Sequence, residues 1–430
     1  MASIDRLSSL PDDIICHILS FLRTKFSVTT SVLGKRWRFL WAHVPCLDFR
    51  WDDIREGGGT QALEVIHRVI LRHKLNRMDT FALDRVNCND DYQLETLITT
   101  TIDRSIRNLY LDLNFVTFPR PLFNCKTIVD LKLDNVRTPI SAVNIVSLPS
   151  LKKFFVYNLI CENDDALPHF LSGCPSLEEL NMEFPFKDES DYVGCINISS
   201  PTIKTLKLDL GDLCFPSDIR YRIIIKASAL RYLQVSGYNG LGCITIPITM
   251  ISLVEGDINL QIYNSTVGKF FHSLCYVKCL MISCQKFSEL VLKGVACSTV
   301  KFDNLSKLEL WLHFKWSLLV NFLEIADNLQ VLIVDFVKVD LCLEPEQVPK
   351  CLLSCLRTIT IKCIWFFEPG FDMVRYLLRN SRVLEKMELF TSPDGYIDEE
   401  TQFQGIKRIS LFERGSNECQ LDFQTVEWLG

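Results

Sequence analysis

The stretch of this chain that comes nearest to metal or nucleophile chemistry holds His272, Cys275, Cys279 and Cys284, one imidazole and three thiols separated by 3, 4 and 5 residues. Structural zinc sites use these ligand types but space them as knuckles such as C-x-x-C, so that one tight turn aims two ligands at the ion. No such pair exists here, and these cysteines read as small apolar residues of a core. Seven histidines are spread along the chain without a G-x-S-x-G elbow, a P-loop or an H-E-x-x-H helix. Acid pairs stand at Asp12–Asp13, Asp52–Asp53, Asp90–Asp91 and Asp164–Asp165. Adjacent side chains diverge on a helix or a strand, so these pairs belong to helix starts and turns rather than to acid–base chemistry. No catalytic residue, no metal site and no cofactor is expected, and the chain reads as a binding protein.

The 430 residues exceed what one hydrophobic core usually serves, so either several domains or one elongated repeat array is expected. Hydrophobic residues at 48% and charged residues at 23% exclude wholesale disorder and supply ample core. Lysine and arginine (46) against aspartate and glutamate (52) leave a net charge of −6 with no long basic block, which argues against nucleic acid as a partner. Met1 to Leu10 lacks the apolar core of a signal peptide, and no later stretch runs to about 18 apolar residues. No membrane association is therefore expected, and the chain should be soluble and intracellular, in nucleus or cytoplasm. In such a reducing compartment the 18 cysteines stay thiols, and the N-x-S/T triplets beginning at Asn197, Asn264 and Asn304 are chance matches.

The elements that position any site are repeated. From about residue 75 an apolar residue is followed by two free positions, an apolar residue, one free position and a third apolar residue, the L-x-x-L-x-L signature of leucine-rich repeats. Copies begin at Met78, Ile106, Ile128, Leu151, Leu177, Ile203, Leu230, Val277, Leu305, Leu329, Leu356, Leu384 and Ile406. Successive starts lie 22 to 28 residues apart, within the roughly 20 to 29 of such repeats. One gap of 47 is the exception, and Ile251 begins a degenerate copy inside it. The alternating part predicts a short strand with one buried face, and the residues after it must return the chain to begin the next parallel strand. The lead-ins Leu148-Pro149-Ser150, Cys174-Pro175-Ser176 and Ser200-Pro201-Thr202 predict turns, with irregular returns and a short helix near Leu167 to Leu171. The fold class is an α/β repeat, a curved solenoid with its parallel sheet on the concave face. A helix over Gln61 to His73 would cap its start after a Gly57-Gly58-Gly59 hinge. Residues flanking the strand leucines point away from the core. Among them Tyr110, Phe155, Tyr157, Tyr232, Trp311 and Phe390 are the candidate target-binding residues, since exposed aromatics anchor protein interfaces; Ser410 and Phe412 would stand with them in the last copy.

Residues 4 to 41 carry more apolar surface than so small a segment could bury alone. Pro11 can open a helix because its missing N–H would be unpaired there, and Asp12 and Asp13 suit the positive end of the helix dipole. The helix predicted over Pro11 to Phe21 or Leu22 has one stripe of Ile14, Ile18, Phe21 and Leu22 and a second of Ile15, Leu19 and Leu22. A second helix near Lys25 to Thr30 and a third carrying Lys35, Arg36, Trp37, Leu40 and Trp41 could cover one stripe and leave the other exposed. At these residues the chain resembles the F-box, in the version that precedes leucine-rich repeats in plant proteins. Asp5, Leu10-Pro11, Asp12, Ile14 to Leu22, Thr30 to Leu33, Lys35-Arg36-Trp37 and Leu40-Trp41 carry the resemblance. Phe26 stands where the family usually has an acidic residue, and Gly34 where a serine usually caps the third helix; glycine is a fair cap.

Downstream, Val348-Pro349, Cys351-Leu352-Leu353, Val374 to Leu378 and Arg382-Val383-Leu384 are similar to the FBD module. Its helix would bury Phe371, Val374, Leu377 and Leu378 and end at Asn380, while the usual acidic cluster is reduced to Glu368 and Asp372. The resemblance to the F-box/FBD/LRR-repeat family spans essentially the whole chain. It implies a three-helix F-box (1–50), a hinge and capping helix (51–76), a repeat solenoid (77–345) and an FBD module that continues and caps the solenoid (346–430). It also implies a non-catalytic ligase subunit, since the chain lacks the eight Cys/His ligands of a RING. The F-box would bind a Skp-type adaptor, and through it a cullin, using Leu10, Pro11, Ile14, Ile15, Ile18, Leu19, Leu22 and Trp37, while the repeats hold an unknown protein target for ubiquitination. Its contribution to the reaction would be proximity. Two other readings stay open in the sequence: a repeat co-receptor for a small molecule, for which Lys132, Lys207 and Lys362 are too dispersed to argue, and a decoy F-box, suggested by Phe26 and Gly34.

Overall fold

The computed structural model describes residues 7, 9–54, 59–85, 91–117, 119–137, 145–158, 163–184, 194–211, 221–238, 244–247, 249–261, 267–284, 301–314, 316–339, 344–364, 366–391 and 398–425. They fall into two compact units, Met1–Ile203 and Lys204–Gly430.

The first unit opens with helices α1 (Asp12–Leu19) and α2 (Thr24–Thr29) and the 3₁₀ segments Thr30–Leu33 and Trp37–His43. Pro11 caps α1 in extended geometry, and its carbonyl accepts from the N–H groups of Ile14 and Ile15. The helix stops at Leu19, short of the predicted end, because Phe21 and Leu22 turn back with three-residue bonds to Ile18 and Leu19. Such bonds tighten the last turn and re-aim the chain.

Six parallel strands follow in chain order: β1 (Cys46–Arg50), β2 (Thr80–Asp84), β3 (Asn108–Thr117), β4 (Asp130–Arg137), β5 (Lys153–Tyr157) and β6 (Glu179–Glu183). A further strand, β7 (Gly194–Ser199), lies on a return. Helices Asp91–Ile102 and Ala166–Ser172 occupy other returns, the second where Leu167 to Leu171 predicts one. The prolyl lead-ins close as turns, Leu151 N–H to the Leu148 carbonyl and Leu177 N–H to Cys174, both at 3.2 Å. Inward residues such as Phe81, Leu109, Leu131 and Leu180 are fully buried.

The sheet begins earlier than the repeat reading places it. Val44, Leu47 and Phe49 are a further copy of the pattern, all buried, inside the segment that resembles the F-box. The chain therefore enters the sheet before the three glycines, so these do not separate the F-box helices from the first strand; Gly57 and Gly58 themselves lie outside the described residues. The junction is held by direct bonds: Asp48 N–H to Thr24 Oγ1 at 2.8 Å, Lys74 N–H to the Ala42 carbonyl at 2.9 Å, and His73 Nε2 to the Val44 carbonyl at 2.7 Å. His73 is buried, at the end of the helix Gly59–Arg72, and its Nδ1 faces Arg104 Nη1 at 3.1 Å.

The second unit stacks nine described parallel strands in the order β8 (Thr205–Asp209), β10 (Tyr232–Tyr238), β12 (Glu255–Gln261), β13 (Cys279–Cys284), β14 (Lys307–Phe314), β15 (Val331–Val339), β16 (Thr358–Ile364), β17 (Lys386–Thr391) and β18 (Gln420–Thr425). On the returns β9 (Tyr221–Lys226) pairs in parallel with β11 (Ile244–Thr245). The degenerate copy is shifted from Ile251, which is exposed, to Leu253, Gly256 and Ile258. Gly256 replaces the inner leucine because Leu280 Cδ1 would stand 3.2 Å from a Cβ there and fills the space.

The copy expected at Ile406 is not a strand. Residues Glu399–Ser410 form a helix, capped by Asp398 Oδ1 accepting from Thr401 N–H at 2.8 Å, with Glu399 and Glu400 in its first turn and Lys407 and Arg408 in its last. Those signals suit the helix dipole at both ends and override the short apolar spacing. Ser410 and Phe412 accordingly leave the outer sheet face, and Asp422 of β18 takes the expected place beside Glu388. The helix packs on Glu368–Asn380, where Phe371, Val374, Leu377 and Leu378 are buried, and Arg408 binds Glu368 through both oxygens at 2.7 and 2.8 Å.

Two measurements test this packing. A Cβ at Gly405 would lie 2.1 Å from the Phe366 ring, so Gly405→Ala is expected to lower stability by about 1–3 kcal/mol in urea unfolding. Burial, then the charges of Arg104 and His43, hold the His73 imidazole below its ordinary value of 6.5 against its bond to the Val44 carbonyl. A depressed folded pKa means a contribution present above 6.5 and lost as pH falls through the folded value. Thermal unfolding is expected to shift downward from about pH 7.5 to about pH 5.5, with a smaller shift in His73→Gln.

Candidate functional site

The F-box segment sorts its apolar residues into two sets. Ile15, Leu19 and Trp37 are 0%, 1% and 3% exposed and form one core with Leu40 and Val44, against which Leu10 packs in part. The expectation that Ile15, Leu19 and Trp37 face an adaptor is corrected: α2 and the Trp37–His43 segment cover that stripe, so these side chains hold the helices together. Pro11, Ile14, Ile18 and Leu22 are exposed, and with them Phe21 at 77%. Arg36 ties the start of α1 to the third segment through Asp12 Oδ1 at 2.8 Å and the Leu10 carbonyl. The result is a rigid helix edge with an unpartnered apolar stripe.

Six strands carry the outer face of the first unit. Register aligns Asp48, Ala82, Tyr110, Lys132, Phe155 and Asn181 in one column. Asp112, Asp134 and Tyr157 align in the next. Tyr110, Phe155 and Tyr157 are half-buried and line one cleft of about 860 Å³, whose other wall is the Ser20–Arg23 turn of the F-box segment. Burial pushes the Tyr110 and Tyr157 hydroxyls up. Lys132 Nζ sits 5.0 Å above the Tyr157 ring.

Carboxylates edge this cleft. Asn135 and Asn158 hold left-handed backbone, φ 52° and 51°, a conformation asparagine tolerates better than most residues. That geometry turns their amides back to donate to Asp112 at 2.9 Å and Asp134 at 3.2 Å. Burial first, then the charges of Asp134 and Asp84, raise the Asp112 carboxyl against the bond from Asn135 and the charge of Arg85. Sequence reasoning missed these acids. Their signal is an aspartate directly after the last strand leucine in four copies, Asp84, Asp112, Asp134 and Asp209.

The second unit places the other aromatics apart. Burial, then the Asp257 and Glu255 charges, push the Tyr232 hydroxyl up to about 12, and it lies 3.5 Å from Asp257 Oδ2. Trp311 Nε1 donates to Glu309 at 2.7 Å, and Lys362 reaches the same oxygen at 3.1 Å while sitting 4.1 Å above the indole. Burial works to raise Glu309, but these bonds outweigh it and hold the carboxyl below its ordinary value. Phe390 lies three strands from Trp311, beside Gln424. His272 lies in the last turn of the helix Val267–Ser273, Cys275 follows it and Cys279 begins β13; among the described residues no three His, Cys, Asp or Glu side chains converge as metal ligands would. Nor, among them, is any helix long and apolar enough to cross a membrane.

A helical segment whose apolar edge is uncovered among the described residues, joined to a parallel repeat sheet with a decorated outer face, is the architecture of an F-box/leucine-rich-repeat protein. The F-box domain model matches residues 7–49, the LRR repeats of FBD-associated F-box protein At5g56370 match 94–248, and the FBD model matches 344–389. Relatives from Arabidopsis thaliana include F-box/FBD/LRR-repeat protein At5g44980, 31% identical over 97% of this chain and 99% of its own length. F-box/FBD/LRR-repeat protein At3g52680 is 30% identical over 98% and 93%. F-box/FBD/LRR-repeat protein At2g26030 is 29% identical over 97% and 98%. The chain belongs to the F-box/FBD/LRR-repeat family. Its modules are those of a substrate adaptor, a class typically without chemistry of its own.

The two apolar sets of α1 should respond differently to truncation. Ile15→Ala is expected to cost about 2–5 kcal/mol in chemical unfolding, while Ile14→Ala, at 47% exposure, leaves the unfolding midpoint nearly unchanged.

Proposed function

We propose that this protein is the substrate-recognition subunit of a cullin-based SCF-type ubiquitin ligase. The F-box docks on a Skp-type adaptor through Pro11, Ile14, Ile18 and Leu22, and the outer sheet face holds the protein to be ubiquitinated. The observation that carries this reading is the division of α1. Ile15 and Leu19 already complete the local core, so Ile14, Ile18 and Leu22 serve nothing within the described F-box. An apolar row of this kind on a short, braced helix suits burial by a partner. The FBD region continues the repeat sheet with β16 to β18. Ubiquitin transfer then depends on proximity, which raises effective concentration without a reacting group on this chain. The reading carries with it a nuclear or cytoplasmic location.

The test is capture of a Skp-type adaptor by the full chain and by Ile14→Asp with Ile18→Asp. Capture is expected for the wild type and a loss of about 2 kcal/mol or more, roughly thirtyfold in affinity, for the variant. Equal capture by both forms, or none by the wild type, would overturn the assignment. Circular dichroism melts are expected to show that these exposed substitutions leave the fold intact.

A further inference from the structure

We infer that the cleft between the F-box turn and strands β1 to β5 takes an extended, lysine- or arginine-bearing segment of the target protein. The inference rests on the substrate-receptor reading and names the chemistry of what is received. It also assigns the F-box a share in target recognition, since Phe21 lines the cleft opposite Tyr110, Phe155 and Tyr157.

The charges in the cleft decide the sign of the occupant. Most of its other ionic groups are already paired: Arg50 with Asp48 at 3.3 Å, Arg23 with Asp53 at 3.7 Å, and Asp84 with Arg85 at 3.6 Å. Lys132 lies over the Tyr157 ring. Asp112 and Asp134 are different. They are register partners on β3 and β4, their strands about 5 Å apart, and among the described residues each accepts from a neutral asparagine amide. Among the described residues neither has a cation within ion-pair distance. The lining sets Arg23, Arg50 and Lys132 against Asp48, Asp84, Asp112 and Asp134, so its formal charge stays negative, and the two carboxylates without an ion-pair partner stand side by side beside aromatic rings.

An ammonium or guanidinium placed between these carboxylates makes charge-assisted bonds to both. The rings of Tyr110, Phe155 and Tyr157 cover its methylene stem and attract its charge. An anionic ligand meets repulsion at the same place. The cleft crosses five strands, a span of roughly 19 Å, which an extended segment of about six residues fills at about 3.3 Å per residue. That length favours a peptide over a compact small molecule.

The experiment probes the full chain on an array of immobilised random dodecapeptides and measures the best ligands in solution. Expected are peptides enriched in lysine or arginine next to apolar residues, binding that weakens as sodium chloride is raised, and at least a tenfold loss in Asp112→Asn with Asp134→Asn. Phe21→Ser should weaken the same peptides. Retention of no peptide, enrichment of acidic or purely apolar ones, or an unchanged peptide set in the double asparagine variant would overturn the inference. Melting curves of each variant report folding. Adaptor capture is measured in parallel: its failure in the wild type defeats the receptor reading, whereas its persistence beside a negative array defeats only the basic-segment assignment.

Discussion

The structure depends on one repeated burial: two strand side chains and a lead-in residue, packed against the same three positions of the strands on either side. Ile106, Leu109 and Leu111 meet Ile128, Leu131 and Leu133, and these meet Leu151, Phe154 and Val156, all 3% exposed or less. Each such side chain contributes about 1.5–3 kcal/mol only when its neighbours are in place. The ladder tolerates a missing member where a neighbour fills the space, as Leu280 does at Gly256. Because side chains alternate along a strand, burying one set forces the other outward at fixed register. Tyr110, Lys132 and Phe155 are aligned as a consequence of leucines packing behind them.

The F-box segment obeys the same rule with a helical period. Ile15 and Leu19 are four residues apart and share a face, which Trp37, Leu40 and Val44 close. Ile14 and Ile18 are offset by one residue and so lie on the neighbouring face, outside that cover. The backbone bonds of Asp48 to Thr24 and of Lys74 to Ala42 join this segment to the sheet. They bring the Ser20–Arg23 turn against the first strands and so create a cleft that neither part holds alone.

Much of this was legible. The repeat phase named the buried positions of most strands, and the amphipathic spacing around Phe371 and Val374 marked the helix of the FBD region. Two elements were misread for identifiable reasons. Val44, Leu47 and Phe49 form a single copy that lies inside a segment already explained by its F-box resemblance. Ile406 and Ile409 fit both a repeat start and one turn of helix, and the deciding signals were the Asp398 cap and the charge order from Glu399 to Arg408. Where two periods compete over a short run, end chemistry settles the element.

The sequence by itself determined the periods, and with them the repeat fold, the inward and outward sets of the strands and the existence of two apolar stripes on α1, while its F-box and FBD motifs carried the resemblance that implied the class of protein. Only the tertiary structure decided which stripe is covered and which carboxylates meet. Phe21, Asp112, Asp134 and Tyr157 belong to three different elements and a turn, and their approach is set by how returns of unequal length stack successive strands. A period is a local property of the backbone, whereas such a cleft depends on distances across the chain that no single repeat encodes.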